Sequence, residues 1–473
     1  MGMLTRLEVD GFKNLLGFSS DFGPYTCIAG PNSVGKSNIF DAIVFLSLLA
    51  DRTFVEAAAM VRSTDGGPAD PGMLFFDDGN NGPRRMRLAA EMIVPSDVTD
   101  DFGRQGSATT TWLRYELVLE YHPAAQTGPL GRSATIRLLE ENLESMRAGQ
   151  AVQRMPWTRG KKSFRDTAIY NRRRNADFIS TAETDSGDIT INVHQDGGSR
   201  GQPRKSPAAS APRTLVSTTT TVDAPTILAA RNEMRRWHLL ALEPSAMRQP
   251  DEVTAPTSVS PNGAHLAAAL LRMGTADTDI NSRVAAAASA LTDVRSIRVD
   301  FDERRELLTL KAGIGAGPEI PARNLSDGTL RFLALSIMEA DPEFDGVICM
   351  EEPENGIHPA RIQAMVDLVH DLAVDPDEAP GDENPMRQVI VNTHSPMFVR
   401  KQDKDDLVLA MPTPVTRGGR AATTVRLHPM QESWRASAAV TVMTKSNVVD
   451  YLKTNLGDQL AFQLGAGGDE DDA

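Results

Sequence analysis

Cysteine is nearly missing from this sequence. The 473 residues contain two, Cys27 and Cys349, and each stands inside an apolar run that reads as a buried strand, where a free thiol acts as a small hydrophobe. No disulfide framework is expected, and a reducing, cytoplasmic setting fits. Long apolar runs are missing as well. The longest, around residues 42–50, falls well short of the roughly 20 residues that cross a bilayer. Residues 1–10 carry Arg6, Glu8 and Asp10 with no apolar stretch behind them, unlike an export signal, so no membrane partner is expected. There is no sustained heptad pattern of the kind a long coiled coil requires. Positive charge is in deficit, with 49 Lys and Arg against 63 Asp and Glu and a net charge of −14. That balance argues against a surface that is one continuous nucleic-acid platform, although a local basic patch can still bind phosphates. What is present in quantity is apolar side chain, 41% of residues, ample for a substantial core in a chain long enough for two or three domains.

The order of segments suggests alternating layers. Residues 4–9 alternate as a strand does, and 25–29 form a short apolar strand that runs straight into a glycine-rich turn. From 37 to 49 the apolar positions follow helical spacing. Strands are expected at 85–94 and 112–121, the second with Leu113, Tyr115, Leu117 and Leu119 in alternation, so an antiparallel β lobe should follow the first helix. Near residue 150 the composition changes. Arg154, Arg159, Lys161, Lys162, Arg165, Arg172, Arg173 and Arg174 are opposed there only by Asp166, with Trp157, Phe164 and Tyr170 interleaved. Such a stretch suits phosphate gripping and base stacking, and equally a solvated insertion or a subunit contact. Residues 196–226, rich in Gly, Ser, Pro and Ala with an unbroken Ser217–Thr221 run, have the composition of a mobile linker. Order resumes at 227–242, helices are expected at 264–273 and 280–291, and strands at 297–301 and 307–312. Later strands are expected at 406–411 and 423–427, before a helix near 435–452. The acidic end, 467–473, reads as disordered.

Four motifs carry chemistry. Gly30, Pro31, Asn32, Ser33, Val34, Gly35, Lys36 and Ser37 satisfy the phosphate-loop pattern at every fixed position, between an expected strand and an expected helix that begins through Asn38. Glycines let backbone N–H groups wrap a phosphate at the positive end of the helix, Lys36 should reach the β- and γ-phosphates, and the Ser37 hydroxyl should ligate Mg²⁺. The apolar run 347–350 ends abruptly in Glu351 and Glu352. Adjacent acids at a strand end face different ways, which suits Glu351 for the magnesium shell and Glu352 for the attacking water; a solvated acidic turn is the plainer alternative. Ser326 and Gly328 stand at the start of an apolar helix, where they could meet a terminal phosphate or simply cap the helix. His394 emerges from the apolar run 389–391 at a strand end.

With phosphate loop, Ser326, paired acids and His394 in that order, the chain resembles ABC-type ATPases. Residues 35–43 look like the RecF and SMC version of the loop and its helix, and 351–359 with 325–329 are similar to OLD-like ATPases, often found in bacterial anti-phage systems. The likeness covers about 1–60 and 297–400. It implies an α/β fold of the P-loop NTPase class: an ABC-type head with a mixed central sheet, an antiparallel β lobe and a helical signature or lid subdomain. The parts expected are 1–149 and 297–460 as two halves of the head, 150–226 as a basic insertion and flexible linker, 227–296 as a helical lid and 461–473 as an acidic tail. The resemblance also implies ATP and Mg²⁺ as ligands, ATP hydrolysis, and a head-to-tail homodimer or higher homo-oligomer. In it Ser326 and Gly328 of one copy touch the γ-phosphate held by Lys36 of the other, residues 354–358 lie at the seam, and His394 contacts the γ-phosphate. Glu351 departs from the family's usual aspartate, Asp327 and Thr329 depart from the transporter signature, and no Q-loop glutamine can be placed. OLD relatives often carry a nuclease domain after the ATPase. Fewer than 80 residues follow His394, so the expected role is the sensor or scaffold subunit of a defence system with a separately encoded effector such as a nuclease. The alternative is a RecF-like DNA-maintenance ATPase that holds DNA through residues 154–174.

Overall fold

Runs that are apolar at every position, such as 347–350 and 389–391, fit only where a strand is covered on both faces. The computed structural model, which describes residues 2–61, 70–79, 82–123, 134–171, 177–196, 202–289, 292–437 and 441–454, places these runs side by side. In chain order come β1 (Met3–Asp10), β2 (Phe18–Asp21), β3 (Tyr25–Ala29), α1 (Lys36–Leu49), α2 (Phe54–Met60), β4 (Arg84–Ile93), β5 (Asp97–Thr99), β6 (Gln105–Ser107), β7 (Trp112–His122) and β8 (Thr135–Ser145). A second group holds α3 (Ala151–Arg154), α4 (Lys162–Ala168), β9 (Asp177–Glu183), β10 (Ile189–Val193), β11 (Arg204–Pro207), α5 (Leu215–Thr218), α6 (Pro225–Met234) and β12 (Trp237–Leu240). A third comprises α7 (Pro244–Met247), β13 (Asp251–Glu252), α8 (Leu266–Ala276), α9 (Ile280–Ser289), β14 (Val294–Asp302), β15 (Leu307–Ile314), β16 (Glu319–Pro321) and α10 (Asp327–Ala340). The last has β17 (Gly346–Glu351), α11 (Ile362–Asp371), β18 (Arg387–Thr393), α12 (Pro396–Arg400), β19 (Leu407–Arg417) and β20 (Arg420–Pro429).

A six-stranded sheet of order β12-β17-β18-β3-β19-β20 forms the centre, parallel except for the last pair. Period-two alternation splits its side chains between two cores. Ile28, Val347, Cys349, Ile390 and Val408 face α1 and the antiparallel lobe, whereas Cys27, Ile348, Met350, Val389 and Val391 face α10 and α11. Both cysteines are buried and free. The antiparallel lobe is one eight-stranded sheet of order β11-β10-β9-β8-β7-β4-β1-β2. On the other side, β13 to β16 form a small antiparallel sheet that packs with α8, α9 and α10. Among the described residues no helix is long and apolar enough to cross a membrane.

Three expectations are corrected. Residues 202–226 contain β11, α5 and the start of α6 rather than the expected linker, and residues 214–217 are buried. The Thr214 hydroxyl donates to Leu49 O at 2.9 Å and accepts from Ser217 N at 3.1 Å as the N-cap of α5, and Thr214 and Ser217 are buried. Hydroxyl side chains that satisfy backbone groups inside a fold have the same composition as those that face water in a linker. The expected division at 227 separates α6 and β12 from the central sheet, in which β12 is the neighbour of β17, and the division at 296 cuts through β14 of the small antiparallel sheet. Two of the three aromatics of the basic stretch are unavailable to bases. Trp157 and Phe164 are buried against each other, ring centroids 5.4 Å apart, beside Trp112 and Met386, and the Tyr170 hydroxyl donates to Ala108 O at 2.8 Å. A small insertion needs its large apolar side chains for its own core. Arg154 pairs with Glu91 and Lys161 with Asp377, while Arg172, Arg173 and Arg174 lie outside the described residues, as does the acidic tail.

The packed segment hangs on one carboxyl. Glu141, fully buried in β8, accepts from Leu215 N at 2.7 Å, Val216 N at 2.9 Å and the Tyr115 hydroxyl at 3.2 Å. Burial pushes it up to about 7, against the lowering effect of those donors. A raised acid favours its protonated form in the fold, so this contribution is full below about 4.5 and fades as pH rises through about 7. Glu141→Leu would strand three donors and is expected to cost roughly 2 to 4 kcal/mol, checked by denaturant unfolding, with new protease cleavage within 202–226.

Candidate active site

The phosphate loop starts where β3 ends, and two neighbours fix its path. Gly30 N donates to Thr393 O at 3.1 Å, and a Cβ on Gly30 would stand 2.9 Å from Ala410 O, so only glycine fits between these strands. Ser33 and Gly35 adopt left-handed backbone, with φ of 68° and 104°. Gly35 is the N-cap of α1 and no side chain caps that helix, so its first N–H groups are left for a ligand. Asn14 braces the loop from outside: its Nδ2 donates to Val34 O at 3.3 Å and its Oδ1 accepts from Asn38 Nδ2 at 2.8 Å. Lys36 folds back over its own loop, Nζ donating to Gly30 O at 2.6 Å and Pro31 O at 2.7 Å. Burial lowers its ammonium to about 8, although Glu352, Glu351 and Glu354 pull the other way.

The parallel register brings the acids to the same edge. Glu351, the last residue of β17, is paired with Asn392 of β18, and Thr393 with Ala29 of β3. Asn392 Nδ2 reaches Glu351 Oε1 at 3.4 Å. The chain then turns sharply, and Glu352 takes a φ of 47° while its N–H donates to Asn392 O at 2.9 Å. Positive φ at a side-chain-bearing residue costs about 1–2 kcal/mol and is held by surrounding contacts. Here the turn sets Glu352 Oε1 2.5 Å from His394 Nδ1. A cleft of about 680 Å³ opens between loop and acids, lined among others by Asn32, Ser33, Gly35, Lys36, Ser37, Asn38, Glu351, Glu352 and Asn392.

Ser326 and Gly328 are not among the residues lining this cleft. Ser326 caps α10, accepting from Thr329 N at 3.2 Å, and a Cβ on Gly328 would meet nothing within 4 Å, so this helix start faces open space. Glu243 and Arg331 are among the lining residues that went unnoticed in the sequence. Glu243 follows β12, whose place beside β17 brings the next turn to the strand ends; the signal was an apolar run, 239–242, ending in an acid, as at 347–351. Arg331 lies on α10, its Nη1 donating to Asn355 O at 2.6 Å, and has no comparable signal.

Residues 251–400 match the family described as "AAA domain, putative AbiEii toxin, Type IV TA system", a span that includes Ser326, both acids and His394. A 48-residue stretch is 50% identical to Structural maintenance of chromosomes protein 1 of Schizosaccharomyces pombe, covering 10% of this chain and 4% of that protein. Both matches are likenesses of segments of the chain, and the chain spans only a small part of the Schizosaccharomyces pombe protein. Several solved structures are similar to this chain at low identity. They include the SmcHead bound to the C-winged helix domain of ScpA, at 13% identity over 89% of this chain and 98% of that one, TM-score 0.43. A Smc head domain with an extended coiled coil from Pyrococcus furiosus gives 12% identity over 90% and 96%, TM-score 0.43. The description of the fold rests on its strand order and phosphate loop rather than on these superpositions.

At Gly35 a Cβ would stand 2.4 Å from Asn14 Nδ2, in a backbone conformation that L side chains rarely adopt. Gly35→Ala is therefore expected to displace the Asn14 brace at a cost of about 1–2 kcal/mol from backbone strain alone. The measurement is a lowered melting temperature together with weaker nucleotide binding by calorimetry.

Proposed function

We propose that this chain binds and hydrolyses ATP with Mg²⁺ at a site completed by a second copy of itself, and that it serves as the sensor or scaffold subunit of an anti-phage defence system, acting on a separately encoded effector such as a nuclease. The observation that carries the catalytic part is the 2.5 Å contact between Glu352 and His394 at the edge that also presents Lys36 and Ser37. Lys36 exchanges its loop carbonyls for β- and γ-phosphate oxygens, joined by the backbone N–H groups of the loop. The Ser37 hydroxyl and the Glu351 carboxylate are hard oxygen donors that suit Mg²⁺, and a bound Mg²⁺ would offset charge on the phosphates. Glu352 orients a water and accepts its proton, and His394 holds Glu352 in place while reaching toward the γ-phosphate. Ser326 and Gly328 serve the other copy's nucleotide.

The family description, which names a toxin of a toxin–antitoxin system, supports the defence setting. The RecF-like reading keeps the exposed cations Arg154, Arg159 and Lys162 but not stacking on Trp157 or Phe164. Salt-sensitive DNA binding that disappears on neutralising those cations would favour it.

Glu352→Gln is expected to retain ATP binding, accumulate an ATP-bound dimer in mass measurements, and lose roughly 100-fold or more in turnover; undiminished hydrolysis would refute the assignment. Because free Lys36 is lowered to about 8, its positive charge fades as pH rises through that value. ATP affinity measured by calorimetry should accordingly weaken above about pH 8, and Lys36→Ala should bind weakly at every pH.

A further inference from the structure

Of the three acids Glu351, Glu352 and Glu354 at and just beyond the end of β17, Glu354 is carried inside. It is 8% exposed, and burial followed by the neighbouring Glu352 charge raises its carboxyl above the ordinary value, against the Thr393 hydroxyl and His394. Its Oε1 accepts the Thr393 hydroxyl, and its Oε2 is buried with no hydrogen-bond partner among the described residues. A buried carboxylate left half satisfied is costly, which sets its position apart from that of an ordinary solvated turn. Thr393, fully buried, also accepts from Ser395 N at 2.9 Å. A hydroxyl that donates to a carboxylate has its lone pairs aimed elsewhere, here at the N–H two residues on, so one side chain grips the backbone across His394. Ser395 in turn caps α12 by accepting from Phe398 N at 3.3 Å. His394 leaves this grip with its Nδ1 on Glu352.

We propose that Glu354 is a positioning residue for hydrolysis: through the Thr393 hydroxyl it fixes the backbone that carries His394, and so couples the loop 353–358 to the His394–Glu352 contact. Movement of that loop is then felt at the water-activating pair, without Glu354 touching nucleotide. The inference rests on the reading of Glu352 and His394 given above.

The test uses the full chain with Thr393→Val, which removes the hydroxyl at constant shape, Thr393→Ser, which restores it, Glu354→Leu, and the Val–Leu double variant. Expected are a roughly 10- to 100-fold loss of kcat in Thr393→Val and Glu354→Leu at near-unchanged KM and ATP affinity, a kcat–pH profile displaced from the parent's, recovery in Thr393→Ser, and no further loss in the double variant. Wild-type kcat in Thr393→Val would overturn the proposal. So would a fall of kcat, affinity and melting temperature together without recovery in Thr393→Ser, because that is a fold effect. Glu352→Gln run alongside separates the two levels. If it turns over normally, the underlying reading and this proposal both fail; if it is inactive while Thr393→Val is normal, this proposal alone fails.

Discussion

The constraint on which the molecule depends is that several like charges must sit at one sheet edge before any ligand is there to offset them. Glu351, Glu352 and the buried Glu354 lie within four residues, and the cation facing them, Lys36, is itself buried enough that its ammonium is lowered to about 8 despite their attraction. Desolvation outweighs the pull of three carboxylates. The fold manages this locally: Lys36 is solvated by two carbonyls of its own loop, Glu352 by His394, Glu354 by Thr393. On the proposed reading, a triphosphate with its cation relieves what these internal contacts only hold, which is why a loop so tightly braced by Asn14 can still give up its lysine.

Parallel pairing is what makes such an edge. Because β17, β18 and β3 run the same way and in register, Glu351, Asn392 and the Thr393–Ala29 pair come level, and whatever follows each strand meets at its carboxyl end, where open α/β sheets bind ligands. The positive φ of Glu352 is the local cost of turning out of β17 at once, and the bond from its N–H to Asn392 O shows β18 holding that turn. Strand register and backbone strain thus place the carboxylate jointly.

The parts of this arrangement that were legible in the sequence are those written in single segments. Residues 25–29, 347–350 and 389–391 are apolar throughout, each ends at a polar motif, and a strand buried on both faces leaves that mark. Glu243 was illegible because its place depends on which strand lies beside β17, a fact of sheet order rather than of any local pattern. The same holds for the boundary of the lid, since 227–240 contribute a helix and a strand to the head. Thr214 and Ser217 show the limit of composition: a hydroxyl buried against Leu49 and Ser217 backbone looks in sequence like one in water. Trp157 and Phe164 show it from the other side, as aromatics among arginines that turned inward to form a core.

On the proposed reading, the geometry of α10 bears on why a second copy is needed. Arg331 and Leu335, four residues apart and so on one helix face, line the cleft of their own chain, which means α10 passes that cleft side-on. Gly328 lies about one turn and Ser326 about one and a half turns nearer the amino end than Arg331, the last lining residue in that direction, and a Cβ on Gly328 would meet nothing within 4 Å. On that reading, the phosphate that the Ser326 end meets is one held by another molecule. The flank of α10 that lines its own cleft and the tip at Ser326 belong to one helix, which on the proposed reading offers a direct mechanical link between the two sites of a pair.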